Sequence, residues 1–304
     1  MENKMENKME EISSQRKLEA LEENGTFIRK DGKTFLQLDC ENAKELSMKW
    51  GEKLYPFTKT GKKWILELPF STAVNYVQIC VDGQEVLSPE LPIAHGYGRP
   101  YNYIELPDED GLFELRDVPH GTLTQEFYKS KISDNWEKLI VYLPPCVPSA
   151  GLPVLYLQHG FGESEISWST TGKVNILMDN LIAAGKIKPF AIVMGNGMVK
   201  QRIDGELKLN RALYGQMLVE EILPMLEKKY QFGGSKEKRG MAGLSMGSVQ
   251  TTRTICAHPE LFSEVGIFSG FLRDRIVGDE EHDGIVPKSG GQSYLKAMDD
   301  ASFN

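Results

Sequence analysis

Residues 243 to 247 form the pentapeptide Gly-Leu-Ser-Met-Gly, a G-x-S-x-G pattern centred on Ser245. A serine hydroxyl in this pattern can attack an acyl carbon when a sharp turn from a strand into a helix exposes it. The flanking glycines are small because that turn brings strand and helix close together. The same letters also occur in ordinary glycine-rich turns, so the elements on both sides decide what Ser245 can do.

The elements around Ser245 are those that a nucleophilic serine needs. The stretch "RGMAGL" (239–244) is typical of a buried strand, and "MGSVQTTRTICA" (246–257) is predicted to be a helix. The first N–H groups of that helix lack an intrahelical partner, so the backbone N–H of Met246 can stabilise a developing oxyanion. Ser245 is therefore predicted to be a nucleophile.

A second loop, "QHGFGES" (158–164), follows the continuous apolar run "LPVLYLQHG" (152–160), which predicts a strand buried on both faces. When a nucleophilic serine occupies such a strand-to-helix turn, the loop after a neighbouring buried strand supplies the other oxyanion donor. We assign this donor to the backbone N–H of Phe161. His159 precedes the loop, and its imidazole is predicted to brace the loop rather than to act as the base.

Strand and helix patterns alternate in this part of the chain, which predicts an α/β fold with a parallel sheet covered on both faces. The predicted helices are 173–185, closed by Gly185, and 212–230, bent at Pro224. Glu220 and Glu221 on the long helix are predicted to belong to a solvated face. The further predicted strands are "TLTQEFYK" (122–129), "KLIVYLPP" (138–145), "PFAIVMGNG" (189–197) and "SEVGIFSG" (263–270).

The chain before residue 107 has short strands separated by turns, which predicts a small β-sandwich. Trp50, Trp64 and Tyr76 could form a sugar-stacking platform or fill the core, and we favour the core. The predicted strands are 33–38, 45–50, 63–68, 75–82 and 101–106. The predicted domains are a polar N-terminal tail (1–24), the sandwich (25–106), a linker (107–121) and the α/β domain (122–304).

Composition excludes several classes of protein. The net charge of −8 argues against a nucleic-acid partner, which would need a basic face. No apolar run approaches a membrane span and no secretory signal is present, so we expect no membrane partner and a cytoplasmic location. The four cysteines are predicted to be free thiols. No metal-binding spacing or phosphate-binding glycine motif occurs, so no cofactor is expected, and the oligomeric state stays open.

An ordered set of stretches, covering roughly residues 117–271, resembles the esterase family of α/β-hydrolases near carbohydrate esterase family 1. That group includes feruloyl, acetyl-xylan and enterochelin (siderophore) esterases. The stretches are "DVPHG", "KLIVYLPP", "PVLYLQHGFGESEISW", "NILMDNLIAAGKIKPFAIVMGNG", "EEILPMLEKKY", "RGMAGLSMGS" and "VGIFSGF". The preceding part resembles the immunoglobulin-like early-set domain often fused in front. Ser248 stands where such esterases usually have a second glycine.

The resemblance implies a serine carboxylic-ester hydrolase that acts through an acyl-enzyme on feruloyl or acetyl esters of plant polysaccharide fragments. A siderophore ester as substrate and a catalytically silent glycan-binding protein are the alternatives. Trp168 resembles a position near the acyl or alcohol site, although packing at the core or rim explains it equally well. Asn196 and Met198 end a strand on the active-site side and could line the cleft.

The resemblance also implies a triad of Ser, then Asp or Glu, then His in chain order. We expect it to be incomplete, because only "EVGIFSG" reads as a buried strand after Ser245. His258, before Pro259, is predicted to lie at the surface or to cap a helix end. His282, with Asp279 and Asp283, is the one substitute acid–base group, and it reads as an exposed loop. We therefore expect an α/β-hydrolase sheet truncated after the strand that follows the nucleophile helix, and impaired turnover.

Overall fold

The computed structural model describes residues 26–30, 32–107 and 110–270. The described residues cluster into two compact units. The first unit contains the described residues as far as His95, those of Arg99–Val118, and Ile176–Leu181. The second unit contains Gly96–Gly98, Pro119–Asn175 and the described residues from Ile182 onward.

The strands between Phe27 and Leu106 form two sheets. The first has the order β1-β2-β6-β5, and the second has the order β4-β3-β7-β10-β9, with β8 paired to β7. Every strand predicted for this part is present, and the pattern missed the shorter β1, β4, β5, β8 and β9. The strands are β1 Phe27–Lys30, β2 Lys33–Asp39, β3 Leu46–Trp50, β4 Lys53–Pro56, β5 Thr58–Thr60, β6 Lys63–Glu67, β7 Ala73–Val81, β8 Gln84–Val86, β9 Ile93–Gly96 and β10 Arg99–Leu106.

These two sheets share one apolar core, as in a sandwich. Leu36 and Leu66 of the first sheet belong to the same buried cluster as Met48, Ile79 and Ile104 of the second. Because successive side chains of a strand point to opposite faces, each strand contributes every second residue to this cluster. The predicted immunoglobulin-like sandwich agrees with this all-β region.

The aromatic residues of the sandwich belong mainly to its interior. Trp64 is buried, and its indole N–H donates a hydrogen bond to the carbonyl oxygen of Cys40 at 2.9 Å. Trp50 packs against the same core, with its ring 5.0 Å from that of Phe70. The core interpretation is therefore confirmed for both tryptophans. All four cysteines are free, as predicted.

The second unit contains a mixed sheet with the strand order β11-β12-β14-β13-β17-β18. Strands β14, β13, β17 and β18 run parallel to one another, and β11 and β12 add an antiparallel edge. The predicted α/β-hydrolase sheet is confirmed. The strands of this unit are β11 Thr122–Lys129, β12 Trp136–Leu143, β13 Val154–Gln158, β14 Ala191–Gly195, β15 Lys200–Ile203, β16 Glu206–Leu209, β17 Arg239–Leu244 and β18 Glu264–Phe268.

The three predicted helices are present, while the short helix Ser167–Thr170 and a 3₁₀ turn at Lys236–Lys238 were not predicted. The long predicted helix contains a π-helical turn, Leu218–Ile222, which ends two residues before Pro224. Proline has no N–H to donate, so the hydrogen-bond ladder changes at this place instead of continuing regularly. The helices are α1 Ser167–Thr170, α2 Val174–Ala183, α3 Leu213–Met217, α4 Leu223–Tyr230 and α5 Met246–Ala257, with a 3₁₀ turn at Lys236–Lys238. None of the described helices is long and apolar enough to cross a membrane.

One surface prediction on the long helix was wrong. The carboxylate of Glu221 accepts hydrogen bonds from the backbone N–H groups of Lys131, at 2.7 Å, and Ile132, at 3.3 Å. It therefore stabilises the turn between β11 and β12. Glu220 is exposed, as predicted.

The parallel strands bring distant loops to one edge of the sheet. In the register, Gln158 at the end of β13 pairs with Gly243 of β17, and Leu244 pairs with Phe268 at the end of β18. Carboxyl ends of parallel strands meet at the same edge, where ligands bind in open α/β sheets. The loops that follow β13, β17 and β18 therefore begin close together at this edge.

Candidate active site

Ser245 occupies the turn between β17 and α5 in a strained conformation. Its φ of 52° and ψ of −110° lie outside the regions that L-residues favour, and its side chain is exposed. Its N–H donates to the carbonyl oxygen of Phe268 at 2.9 Å, and its carbonyl oxygen accepts from the N–H of Ser248 at 2.9 Å. The neighbouring strand and the new helix thus hold the turn from both sides.

Both glycines of the pentapeptide are required by close packing. An ideal Cβ on Gly243 would lie 2.2 Å from the carbonyl oxygen of Gly247. A Cβ on Gly247 would lie 2.7 Å from the carbonyl oxygens of Gln158 and His159. Real Cβ atoms do not approach backbone so closely, so the predicted close contact of strand and helix is present at this turn. The second contact also places the start of α5 against the end of β13.

Ser248, the departure from the family pattern, is accommodated by a hydrogen bond. Its hydroxyl is buried and donates to the carbonyl oxygen of Ser245 at 2.6 Å. A Cβ on Gly270 would lie 2.1 Å from that hydroxyl oxygen. The side chain therefore fills space beneath the turn and holds the backbone of Ser245.

The loop Gly160–Gly162 has nearly all of its backbone polar groups paired. The N–H of Gly160 donates to the Glu163 carboxylate at 2.8 Å, and that of Gly162 points at the Met198 sulfur, 3.5 Å away. The carbonyl oxygens of Phe161 and Gly162 accept from the N–H groups of Tyr97 and Gly98, at 3.1 and 3.4 Å. Among the described residues, the N–H of Phe161 has no partner.

Met246 is the first residue of α5, and its side chain is buried. The first N–H groups of a helix have no intrahelical acceptor, and the positive end of the helix dipole lies there. Since Gly247 packs on the end of β13, the N–H of Met246 and the loop carrying Phe161 belong to neighbouring backbone segments.

His159 braces this loop, as predicted. Its ring is buried, Nε2 accepts from the N–H of Gly197 at 2.9 Å, and Nδ1 lies 2.7 Å from the carbonyl oxygen of Gly160. A backbone N–H can only donate, so Nε2 is the acceptor and Nδ1 carries the proton. The pKa of His159 is lowered, because the effect of burial outweighs that of the hydrogen bonds, which raise it. Both nitrogens are engaged, and the ring cannot also accept the proton of Ser245.

Glu163 is a carboxyl group close to the Phe161 loop. Burial raises its pKa, while the hydrogen bond from the Gly160 N–H lowers it. Its ionised form accepts that bond better than its protonated form does, so its charge state affects the loop.

The three residues predicted to line the cleft make different contacts. Trp168 is partly buried, and its ring contacts Phe268 edge-on at 6.1 Å. The Asn196 side chain accepts from the N–H of Met198 at 2.9 Å and so shapes its own loop. The Met198 sulfur lies against the N–H of Gly162. Contact of these residues with a substrate stays a prediction.

None of the described histidines is hydrogen-bonded to the Ser245 hydroxyl. No hydrogen bond to the Ser245 hydroxyl is present within 26–30, 32–107 and 110–270. His258 lies at the far end of α5 and faces Glu260 at 3.5 Å, in agreement with a surface position. His282, Asp279 and Asp283 lie outside the described residues. In the described part of the chain, no cluster of His, Cys, Asp and Glu could hold a metal ion.

The sequence profile of the family described as "Putative esterase" matches residues 130–297. The chain belongs to this esterase family. Ser245 and its G-x-S-x-G pentapeptide lie within the matched residues.

Several known esterases are similar to this chain in sequence or in structure. The endo-1,4-beta-xylanase/feruloyl esterase of Xylanibacter ruminicola is 35% identical over 213 residues, or 67% of this chain and 29% of the relative. The chain thus spans less than a third of that relative's length. The enterobactin esterase FES from Shigella flexneri has a TM-score of 0.62 at 13% identity over 90% of this chain and 79% of its own. A ferulic acid esterase from Anaeromyces mucronatus has a TM-score of 0.47 at 23% identity, covering 51% of this chain and 60% of its own.

Sequence reasoning missed the buried polar side chains near this candidate site. Gln158 and Gln250 are both buried, and their amide groups donate to the carbonyl oxygens of Gly195, at 3.3 Å, and Gly197, at 2.9 Å. The guanidinium of Arg211 lies over the ring of Phe161 at 5.2 Å. A glutamine closing an apolar strand was the signal available for Gln158. Nothing in the pattern around Arg211 distinguishes it from a surface residue.

Proposed function

We propose that this protein is a serine esterase that hydrolyses feruloyl or acetyl esters of plant polysaccharide fragments through an acyl-enzyme on Ser245. The observation that carries the proposal is the exposed serine at a strained turn into α5, beside a loop whose one unpaired N–H among the described residues is that of Phe161. The substrate class is supported by the 35% identity to a relative named as a xylanase/feruloyl esterase.

In the proposed mechanism the Ser245 oxygen attacks the ester carbonyl carbon and loses its proton to a base. The carbonyl oxygen becomes negatively charged and accepts hydrogen bonds from the N–H groups of Phe161 and Met246. The carbon–oxygen bond to the alcohol then breaks, and the alcohol leaves with a proton. Water attacks the acyl-enzyme in the same way, which releases the acid and restores the serine.

We further propose that turnover by this chain is impaired because Ser245 lacks an efficient base. The support is that both nitrogens of His159 are engaged and that His258 lies at the far end of α5. In another hydrolase fold, loss of the histidine base lowers turnover by about 10⁶, and the oxyanion donors and binding alone leave a residual rate. His282, flanked by Asp279 and Asp283, is the remaining candidate base after Ser245.

Labelling with a fluorophosphonate probe tests the nucleophile. Folded protein should be labelled slowly at Ser245 during prolonged incubation, because the proposed lack of a base also slows this reaction. Mass spectrometry locates the label, and Ser245→Ala should remove it. Absence of label on folded wild-type protein after prolonged incubation at high probe concentration would contradict the nucleophile and leave the glycan-binding alternative.

A panel of esters tests the substrate and the base. Methyl ferulate, acetylated xylo-oligosaccharide and a catecholate–serine ester should be compared at equal concentration, with Ser245→Ala as the blank. Preference for the first two supports the proposal, and preference for the catecholate ester would replace it with a siderophore ester. Rapid turnover that His282→Ala removes would overturn the proposed impairment.

A further inference from the structure

Gln250 connects the nucleophile helix to two other loops. It lies in α5, and its buried side-chain amide donates to the carbonyl oxygen of Gly197 and to that of Arg211, each at 2.9 Å. Gly197 follows β14, whereas Arg211 precedes α3. A single amide group thus holds three segments that are far apart in the sequence.

Each of these two loops is connected by side-chain contacts to the loop that carries Phe161. From Gly197, the backbone N–H donates to His159, whose ring in turn donates to the carbonyl oxygen of Gly160. From Arg211, the guanidinium reaches over the ring of Phe161, at 5.2 Å from its centroid. The two routes therefore end on consecutive residues of one loop.

We propose that Gln250 is a positioning residue that sets the distance between the oxyanion donors Phe161 and Met246. Arg211, which Gln250 holds, contributes through its contact with the Phe161 ring. This inference rests on the proposed function, since it assigns those two N–H groups to one developing charge. The donors belong to separate backbone segments, so their spacing depends on contacts between the segments. A misplacement of about 1 Å can cost on the order of 10² in rate.

Gln250→Met is the informative variant. The side-chain Oε1 of Gln250 has no hydrogen-bond partner among the described residues, so this substitution of similar length removes only the two donated bonds. Thr251→Val is its matched control, because Thr251 is a buried neighbour in α5 whose hydroxyl has no partner there either. Arg211→Met removes the cation–π contact with the Phe161 ring, at a partly exposed position.

The first measurement is the second-order rate constant for fluorophosphonate labelling of Ser245. We expect roughly a 10-fold loss or more in Gln250→Met, from displaced donors. Arg211→Met should lose about 2- to 5-fold, the usual range for an exposed cation–π contact. Thr251→Val should stay within about 2-fold of wild type, since it removes no hydrogen bond. Where an ester is turned over, kcat should fall while KM changes little, because the donors act on the transition state.

The second measurement is hydrogen exchange of the peptide spanning 159–164, which needs no activity. Faster exchange in Gln250→Met but not in Thr251→Val supports the proposal. Unchanged exchange and labelling, or equal effects in both variants, would overturn it. If wild-type Ser245 is not labelled after prolonged incubation at high probe concentration, the proposed function fails and the exchange result alone decides the positioning role. Should Gln250→Met not fold, Arg211→Met decides by the same two measurements.

Discussion

Replacing Gly247 by alanine tests whether the contact between α5 and the end of β13 maintains the site. The added Cβ would lie 2.7 Å from the carbonyl oxygens of Gln158 and His159. Ordinary contact begins at 3.4 Å, so both backbone groups must move away by about 0.7 Å. These two residues lead directly into the loop that carries Phe161, so the displacement reaches the proposed oxyanion donor.

The two consequences of this substitution differ in size. A shift approaching 1 Å at a catalytic group costs about 10² in rate. Overpacking costs about 1–3 kcal/mol of stability, while alanine regains about 1 kcal/mol of helix propensity over glycine. We therefore expect Gly247→Ala to lower the reaction rate of Ser245 about 100-fold, and the free energy of unfolding by no more than about 2 kcal/mol.

The assay is the labelling rate of Ser245, with urea unfolding measured in parallel. Gly240→Ala is the matched control, because Gly240 lies in β17 and its nearest neighbour would be the Glu264 side chain at 3.3 Å. That variant should react at nearly the wild-type rate. A Gly247→Ala protein that reacts within about 3-fold of wild type, or a Gly240→Ala protein that loses as much, would refute the reasoning about backbone contact.

Further substitutions separate strain, protonation and stability. Ser245→Gly should abolish labelling and raise the free energy of unfolding by about 1 kcal/mol, because glycine tolerates a φ of 52°; a stability equal to that of Ser245→Ala would argue against strain. Burial lowers the pKa of His159, so its contribution to stability should be complete above pH ~6.5 and decline as the pH falls through the lowered folded-state pKa. Urea unfolding between pH 5 and 8 should show this slope in wild type but not in His159→Gln, and an equal slope in both would assign it to another group. Glu227→Gln should lower stability by about 1–3 kcal/mol, because Glu227 holds Arg239 through bonds of 2.6 and 2.7 Å and both side chains are largely buried. The labelling rate should not change in Glu227→Gln, since Arg239 begins β17 at the end opposite Ser245, and a parallel loss of rate would contradict that separation.

Local sequence patterns were sufficient for the elements that carry the proposed nucleophile. The strand Arg239–Leu244 and the helix Met246–Ala257 have the bounds that the sequence predicted. An apolar run followed by helical periodicity, with glycines at the turn, encodes both elements within a dozen residues on either side of Ser245. The bracing role of His159 was also predicted, because its place before the loop is a local property.

Short exposed elements were harder to predict. The hairpin β15–β16, Lys200–Leu209, was missed, because most of its residues face solvent and show no apolar alternation. The π-helical turn before Pro224 was expected only as a bend, since a proline indicates a break without specifying its form.

Only the tertiary structure decided the partners of the polar side chains. Gln250 bonds to carbonyl groups 53 and 39 residues away, and Glu221 bonds to an N–H 90 residues away. A buried polar group must find a partner, but its sequence neighbours do not indicate which one. The sequence alone determined the sheet, the turn and Ser245. The fold decided which distant backbone groups surround that turn, because parallel strands carry loops from separate parts of the chain to one edge.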